Sequence, residues 1–126
     1  MANLNSPQVI SHLLAIDEHL DQFHWESFKE GIEISRIYDD AINGPAAALL
    51  RYAAGAEVPL HRHGGYEHIL ILSGSQTDGV EVYGKGTLMI SAPGSQHRIV
   101  SESGCIVLAI WHKPVAFLAA VQDKVV

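Results

Sequence analysis

The chain reads as a single all-β domain, a barrel or sandwich of short strands. Three observations carry that expectation. From Trp25 onward, short apolar stretches recur at roughly 8 to 12-residue spacing, separated by turns rich in Gly and Pro. A length of 126 residues suits one compact domain and leaves no room for two. Hydrophobic residues make up 48% of the chain and charged residues 17%, enough apolar material for a core and too little charge for disorder. The expected organisation is one domain over 1–126, with an N-terminal arm at 1–23, the barrel at 24–112 and a C-terminal tail at 113–126.

In the arm, Ser6 before Pro7 can cap a short helix, and Val9, Leu13, Ile16 and Leu20 are compatible with one apolar face. The alternative is an irregular or strand-like arm packed on the barrel. Residues 25–29 and 31–38 read as strands. In the second, Ile32, Ile34 and Arg36 alternate with Glu33, Ser35 and Ile37. Residues 39–44 form a turn, 46–53 a third strand, and 55–59 a bend that aims the chain into His61. Residues 67–72 are apolar on both faces, which implies burial on two sides, as in a sandwich or at a subunit contact. Residues 73–79 are polar and turn-rich. Strands follow at 80–83 and 87–91, a tight Ala92-Pro93-Gly94-Ser95 turn precedes His97, and the last strands lie at 98–101 and 106–111. Residues 114–122 read as a final helical turn with proline at its start.

Charge and cysteine content narrow the function classes. Net charge is −6, with eight Lys and Arg spread singly, so neither nucleic acid nor an anionic membrane is an expected partner. Cys105 is the only cysteine, so no internal disulfide forms, which fits a reducing compartment. No secretory signal pattern opens the sequence and no stretch approaches the roughly 18 apolar residues that span a bilayer. A cytoplasmic protein is expected.

The chemistry concentrates in residues 55–74, GAEVPLHRHGGYEHILILSG. His61 and His63 stand at i and i+2, so on a strand they share a face while Arg62 points away. Gly64 and Gly65 can adopt backbone conformations closed to other residues, letting the chain turn and bring Glu67 to the same centre. His97, behind its own Pro-Gly turn, supplies a fourth donor from a separate strand. With eight histidines in the chain, about 0.5 His-x-His pairs arise by chance, so the pair alone carries little weight. Three imidazoles and one carboxylate suit one divalent transition metal such as Zn, Fe, Mn, Ni or Cu better than Ca or Mg. A closed tetrahedral Zn site and an octahedral site with two open positions both use this set.

These residues resemble the cupin superfamily. Its first motif is Gly, five residues, His-x-His, three or four residues, Glu, six residues, Gly; Gly55, His61, His63, Glu67 and Gly74 match every element. In the second motif Gly86, Gly94 and His97 match, while Ala92 replaces a proline and Ser101 an asparagine. The resemblance implies a double-stranded β-helix (jelly-roll) barrel, and the short 75–85 span implies a tight hairpin. Within cupins the chain is similar to the ChrR-type group through LLRYAAGAEVPLHRH, ILSGSQTDGVEVYGKG and PGSQHRIVSESGC, over roughly residues 24–112. That group includes the C-terminal half of zinc-binding anti-sigma factors and free-standing relatives of acetylacetone-cleaving and dihydroxyacetophenone dioxygenases. No helical anti-sigma domain precedes the barrel in this sequence, so a complete anti-sigma factor is not expected.

The remaining polar and aromatic residues have plainer roles beside sharper ones. Strand alternation turns His68 outward, and His12, His19 and His24 fall in the arm as solvated residues. His112 can face the cavity or the exterior. Arg51 on an apolar strand needs a partner, either a structural ion pair or an anionic substrate. Tyr83 packs, or donates a proton in the cavity. Cys105 behaves as a small core residue, and Trp25 and Trp111 as core or interface anchors. Two functions remain. One is a metal-dependent oxygenase cleaving a small diketone or related carbonyl compound, with no general base identified. The other is a non-catalytic metal-binding sensor or binding module. A small-molecule ligand and a homodimer are the expected partners.

Overall fold

In the computed structural model, which describes residues 5–118 except 41 and 43, the alternating sequence becomes a curled antiparallel barrel. The strands are β1 (Glu26–Lys29), β2 (Ile32–Asp39), β3 (Ala46–Tyr52), β4 (Ala56–His63) and β5 (Glu67–Thr77). They continue with β6 (Val82–Gly84), β7 (Leu88–Ser91), β8 (Gln96–Ser101), β9 (Cys105–Trp111) and β10 (Val115–Phe117). The hydrogen-bonded order is β1-β2-β3-β9-β5-β8-β4-β10, with β6 and β7 also on β5. β5 is the seam of the barrel. Its first residues pair with β7 and β9, and its end pairs with β6 and, at Thr77, with β8.

Two β-bulges decide which side chains face inward. On β4, Ala56 and Val58 pack against the interior cluster. The register against β8 then slips by one residue between Val58 and His61. Pro59 in that segment has no N–H to give the ladder, so a bulge there costs little pairing. The extra residue switches the inward parity from even to odd, and His61 and His63 become buried while Arg62 is exposed. On β5 the pairing with β9 slips between Ile71 and Ser73. Glu67, Ile69 and Ile71 face inward before the slip, and Gln76 does so after it.

The apolar residues sort into two layers. Ile32, Ile34, Leu50, Ile69, Val107 and their neighbours fill the barrel interior. Leu49, Leu72 and Ile106 face the other way and pack under Ile16, with Leu13, Leu20, Phe23 and Trp25 around them. β5 is therefore apolar on both faces because the chain's own N-terminal arm covers the outer one. Against the expectation of a subunit contact, no second copy is needed to account for that pattern.

The structure corrects several element assignments. The arm holds two 3-10 segments, Leu13–Glu18 and Leu20–Gln22, rather than one helix opened at Ser6 and Pro7. Val9 is exposed, so its apolar character does not extend the buried stripe. The stretch expected as a bend at 55–59 is mostly strand, since β4 begins at Ala56. Residues 73–77, expected as turn, continue β5, because Ser75, Gln76 and Thr77 pair with Gly84, Tyr83 and Val82. The hairpin turn is short, and Asp78 accepts the N–H groups of Val80 and Glu81. The expected helical turn at 114–122 is a strand where it is described: Val115 pairs with His63 and Phe117 with His61. Alternating Val115 and Phe117 are half-buried and Ala116 exposed, a period of two that a three-residue stretch hides. The rest of that assignment lies outside the described residues.

Candidate metal centre

His61 and His63 on β4, Glu67 at the start of β5 and His97 on β8 converge. One donor atom from each lies within 4.8 Å of all the others. His61 pairs directly with His97 across the β4–β8 ladder. The ring centroids of the three histidines are 4.6–5.0 Å apart. His61, His63 and Glu67 are buried and His97 is half-buried.

Backbone carbonyls fix the histidine rings. His61 Nδ1 donates to Pro59 O at 2.8 Å, so the β4 bulge that turns the residue inward also orients it. His63 Nδ1 donates to Ser95 O at 3.0 Å, in the turn before β8. Nδ1–H engaged in this way leaves Nε2 facing the centre and able to ligate, the arrangement of metal-bound histidines whose other nitrogen is held by a carbonyl. Glu67 is held as firmly. Trp111 Nε1 donates to Oε2 at 2.7 Å, while Oε1 lies 3.0 Å from His63 Nε2 and 3.7 Å from His97 Nε2.

The electrostatics match a cation site. Burial works to raise the Glu67 carboxyl, but His63, His97 and Trp111 outweigh it and hold its pKa at about 2. His61 is pushed below the ordinary imidazole value, chiefly by burial. His63 is pushed up, chiefly by its hydrogen bond with Glu67. The site is a buried negative charge ringed by imidazoles. Four convergent N and O donors with oriented rings fit a divalent transition metal.

Gly64 and Gly65 serve the turn differently from the expectation. Neither has a left-handed backbone. The chain at 112–114 instead passes so close that a Cβ at Gly64 would sit 2.9 Å from Pro114 O, and one at Gly65 2.9 Å from His112 Cβ. Close approach, not unusual torsion, requires the two glycines.

His61, Glu67 and His97 line a cavity of about 620 Å³, within the usual size of small-molecule sites. Leu50, Val58, Ile69, Met89, Ile99 and Trp111 give it an apolar lining, and Arg36 and Asp39 also line it. Tyr52 and Gln76 are buried polar residues on the same wall. Burial, with Cys105 and Glu67 nearby, pushes the Tyr52 hydroxyl well above its ordinary value.

Three residues escaped the sequence reading: Trp111 as the partner of Glu67, Ser95 as the partner of His63, and Gln76 as a cavity residue. Trp111 had a usable signal. It continues the inward set Cys105, Val107 and Ala109 at period two. Gln76 had none, because its inward turn depends on the β5 bulge.

Other candidates fall outside the cluster. His68 is half-buried on the outward side of β5, and His112 is exposed. His24 is exposed, and His12 and His19 stack on each other with centroids 4.3 Å apart. Arg51 takes the structural role, donating to Glu33 Oε1 through Nε and Nη2 with its guanidinium over Trp25. Tyr83 donates to Asp78 at the hairpin. Cys105 is buried in the core, where burial raises its thiol pKa. No helix among the described residues is long and apolar enough to cross a membrane.

Residues 16–116 match the ChrR Cupin-like domain family. The anti-sigma-E factor ChrR of Cereibacter sphaeroides is 30% identical over 105 residues, covering 81% of this chain and 48% of that protein. The chain thus spans about half the length of that curated relative. The structure of Rhodobacter sphaeroides SigE in complex with the anti-sigma ChrR is similar with a TM-score of 0.64 and 29% identity, over 73% of this chain and 50% of that one. A putative acetylacetone dioxygenase from Methylibium petroleiphilum has a TM-score of 0.74 at 14% identity, over 94% of this chain and 85% of that one. At that identity the likeness is one of fold. Taken with the β-barrel and the site on its inner wall, the match over residues 16–116 shows that this chain belongs to the ChrR cupin-like domain family.

Proposed function

We propose that His61, His63, Glu67 and His97 hold one divalent transition metal (Zn, Fe, Mn or Ni) and that the adjoining cavity receives a small molecule beside it. One observation carries this reading: four donors converge, and three of them, His61, Glu67 and His97, line a mainly apolar cavity of about 620 Å³. A metal needed only for stability has no use for such a space. When bound, the metal supplies Lewis-acid polarisation of a ligand oxygen. The protein's own residues orient the donors and keep the surrounding wall dry. The activity that fits is an oxygenase acting on a small diketone or related carbonyl compound, as the fold of the acetylacetone dioxygenases also suggests.

A second reading is favoured by the 30% identical anti-sigma factor: a metal-binding sensor module without turnover, working with a sigma-factor partner. Elemental analysis of protein purified without chelators tests the metal site. His61→Ala and His97→Ala should each bind far less than one metal per chain, and undiminished metal in both would overturn it. Oxygen uptake by the Fe(II)-loaded protein with a panel of diketones separates the readings. Uptake matched by substrate loss supports the oxygenase. A metal-loaded protein that consumes no oxygen but binds a sigma factor supports the module.

A homodimer belongs to the same proposal. Leu88, Ile90 and Ile110 remain exposed on the outer sheet face, with Ile90 and Ile110 both paired to His68. A single-chain mass by light scattering would overturn it.

A further inference from the structure

Along β2, Ile32 and Ile34 face the barrel interior, and Arg36 is the next residue of that period. It lines the cavity, just ahead of the bulge between Arg36 and Tyr38. Among the described residues it is the only lysine or arginine that does so. Its donors are uncommitted. Asp39 Oδ2 and Glu26 Oε1 stand 3.7 and 3.9 Å away, beyond hydrogen-bond reach. By contrast, Arg51 and Arg98 reach Glu33 and Glu57 at 2.6 and 2.8 Å. All three side chains at Arg36 are about half-exposed, and ion pairs so loose contribute little to the fold. They do not account for an arginine at an inward position.

The strand ladders place Arg36 relative to the metal ligands. It pairs with Ala48, Ala48 with Ala109, and Ala109 with Ile69, which stands two residues beyond Glu67. Three strand spacings make that path about 14 Å around the wall, and less across the cavity. The charges on the lining also have a sign. A divalent metal on Glu67 together with Arg36 supplies three positive charges, against two negative ones from Glu67 and Asp39. One positive charge is left in excess, on a wall that is otherwise mainly apolar. A planar guanidinium with free donors matches a carboxylate, and a monoanion balances the excess where a phosphate dianion would exceed it. We propose that Arg36 is the specificity-determining residue of the cavity, receiving the carboxylate of a small keto acid whose carbonyl end lies towards the metal. The inference rests on the small-molecule reading above and deepens it.

The test is a matched-pair binding experiment on the zinc-loaded full chain. Aliphatic keto acids of about five to eight carbons are titrated calorimetrically at neutral pH beside their methyl esters, with zinc content measured on every sample. Wild type should prefer the acids by about five- to tenfold, the lower range of a charge-assisted hydrogen bond because Arg36 is half-exposed. Arg36→Met should bring each pair within about twofold and leave ester affinity unchanged. Asp39→Asn should widen the preference, since it removes the carboxylate that competes for the guanidinium. Esters bound as well as acids by wild type overturn this proposal alone; binding of neither overturns it together with the small-molecule reading. An acid preference that survives in Arg36→Met puts the carboxylate on the metal and overturns the assignment to Arg36. Should Arg36→Met fail to fold, Asp39→Asn decides, and an unchanged preference there overturns the proposal.

Discussion

The indole N–H of Trp111 donates to Glu67 Oε2 at 2.7 Å, and the two residues are direct cross-strand partners on β9 and β5. The bond occupies one carboxylate oxygen and leaves Oε1 to face His63 and His97. Trp111 is thus the residue that orients the only anionic donor of the cluster. Trp111→Phe keeps most of the apolar contact and removes the N–H. Outer-shell partners of this kind are worth about 10- to 100-fold in metal affinity. Competition with a chromophoric zinc chelator should show a loss in that range with near-native circular dichroism. Unchanged affinity would show that packing alone positions Glu67.

Metal uptake should be coupled to protons, with a sign set by His63. In the metal-free protein Glu67 raises the His63 pKa, so protonated His63 is favoured below that raised value. A metal needs the neutral imidazole, so binding there expels the proton. His61, lowered by burial, holds a proton less readily and contributes less to that release. Affinity should therefore fall as pH drops, steeply towards about pH 5, with free histidine titrating near 6.5. Calorimetry in buffers of different ionisation enthalpy should detect proton release that grows as pH falls from 8 to 6. Glu67→Gln should shrink that release along with the affinity. Constant proton release across the range would contradict the His63–Glu67 coupling.

The convergence of the four residues was legible because it obeys local rules: His61 and His63 at i and i+2, and His97 behind a Pro-Gly turn. The fold class was legible from the spacing of Gly and Pro between apolar runs. Bulges were not. The period-two pattern of β4 changes phase at Pro59, and that of β5 changes phase between Ile71 and Ser73. A reading of alternation sees such a change as the end of a strand, which is why residues 55–59 read as bend and 73–79 as turn. The partner of the outer face was equally hidden. Leu49, Leu72 and Ile106 advertise burial, but only tertiary packing shows that Ile16 of the same chain covers them.

The β5 bulge can be probed at Gly74. Its φ is +74°, and a Cβ there would collide with the carbonyl oxygen of Gly104. Both the torsion and the space require glycine. Gly74→Ala should cost about 2 kcal/mol or more, combining left-handed strain with displacement of the neighbouring strand. Chemical denaturation reads that loss. Because Glu67 precedes the bulge, the variant should keep its bound metal. A variant as stable as wild type would show that the strand simply re-registers.

The arm and barrel meet where Arg51, Glu33 and Trp25 stack. Arg51 and Glu33 are cross-strand partners on β3 and β2, with Nη2 2.6 Å from Oε1, yet their side chains are 30% and 46% exposed. An ion pair so exposed is worth at most about 1 kcal/mol. Trp25 carries more. It packs against the Ile16 cluster, donates Nε1 to Leu20 O at 3.0 Å, and lies under the guanidinium 4.5 Å from its ring. Trp25→Ala should therefore cost about 3 kcal/mol, against roughly 0.5 to 1 for Glu33→Gln. Raising the salt to 1 M should narrow the Glu33→Gln deficit and leave that of Trp25→Ala almost intact, because screening acts on the exposed pair and not on burial. Equal costs for the two variants would mean that the arm is held by charge, and that the apolar cover over Leu49, Leu72 and Ile106 contributes little to keeping it in place.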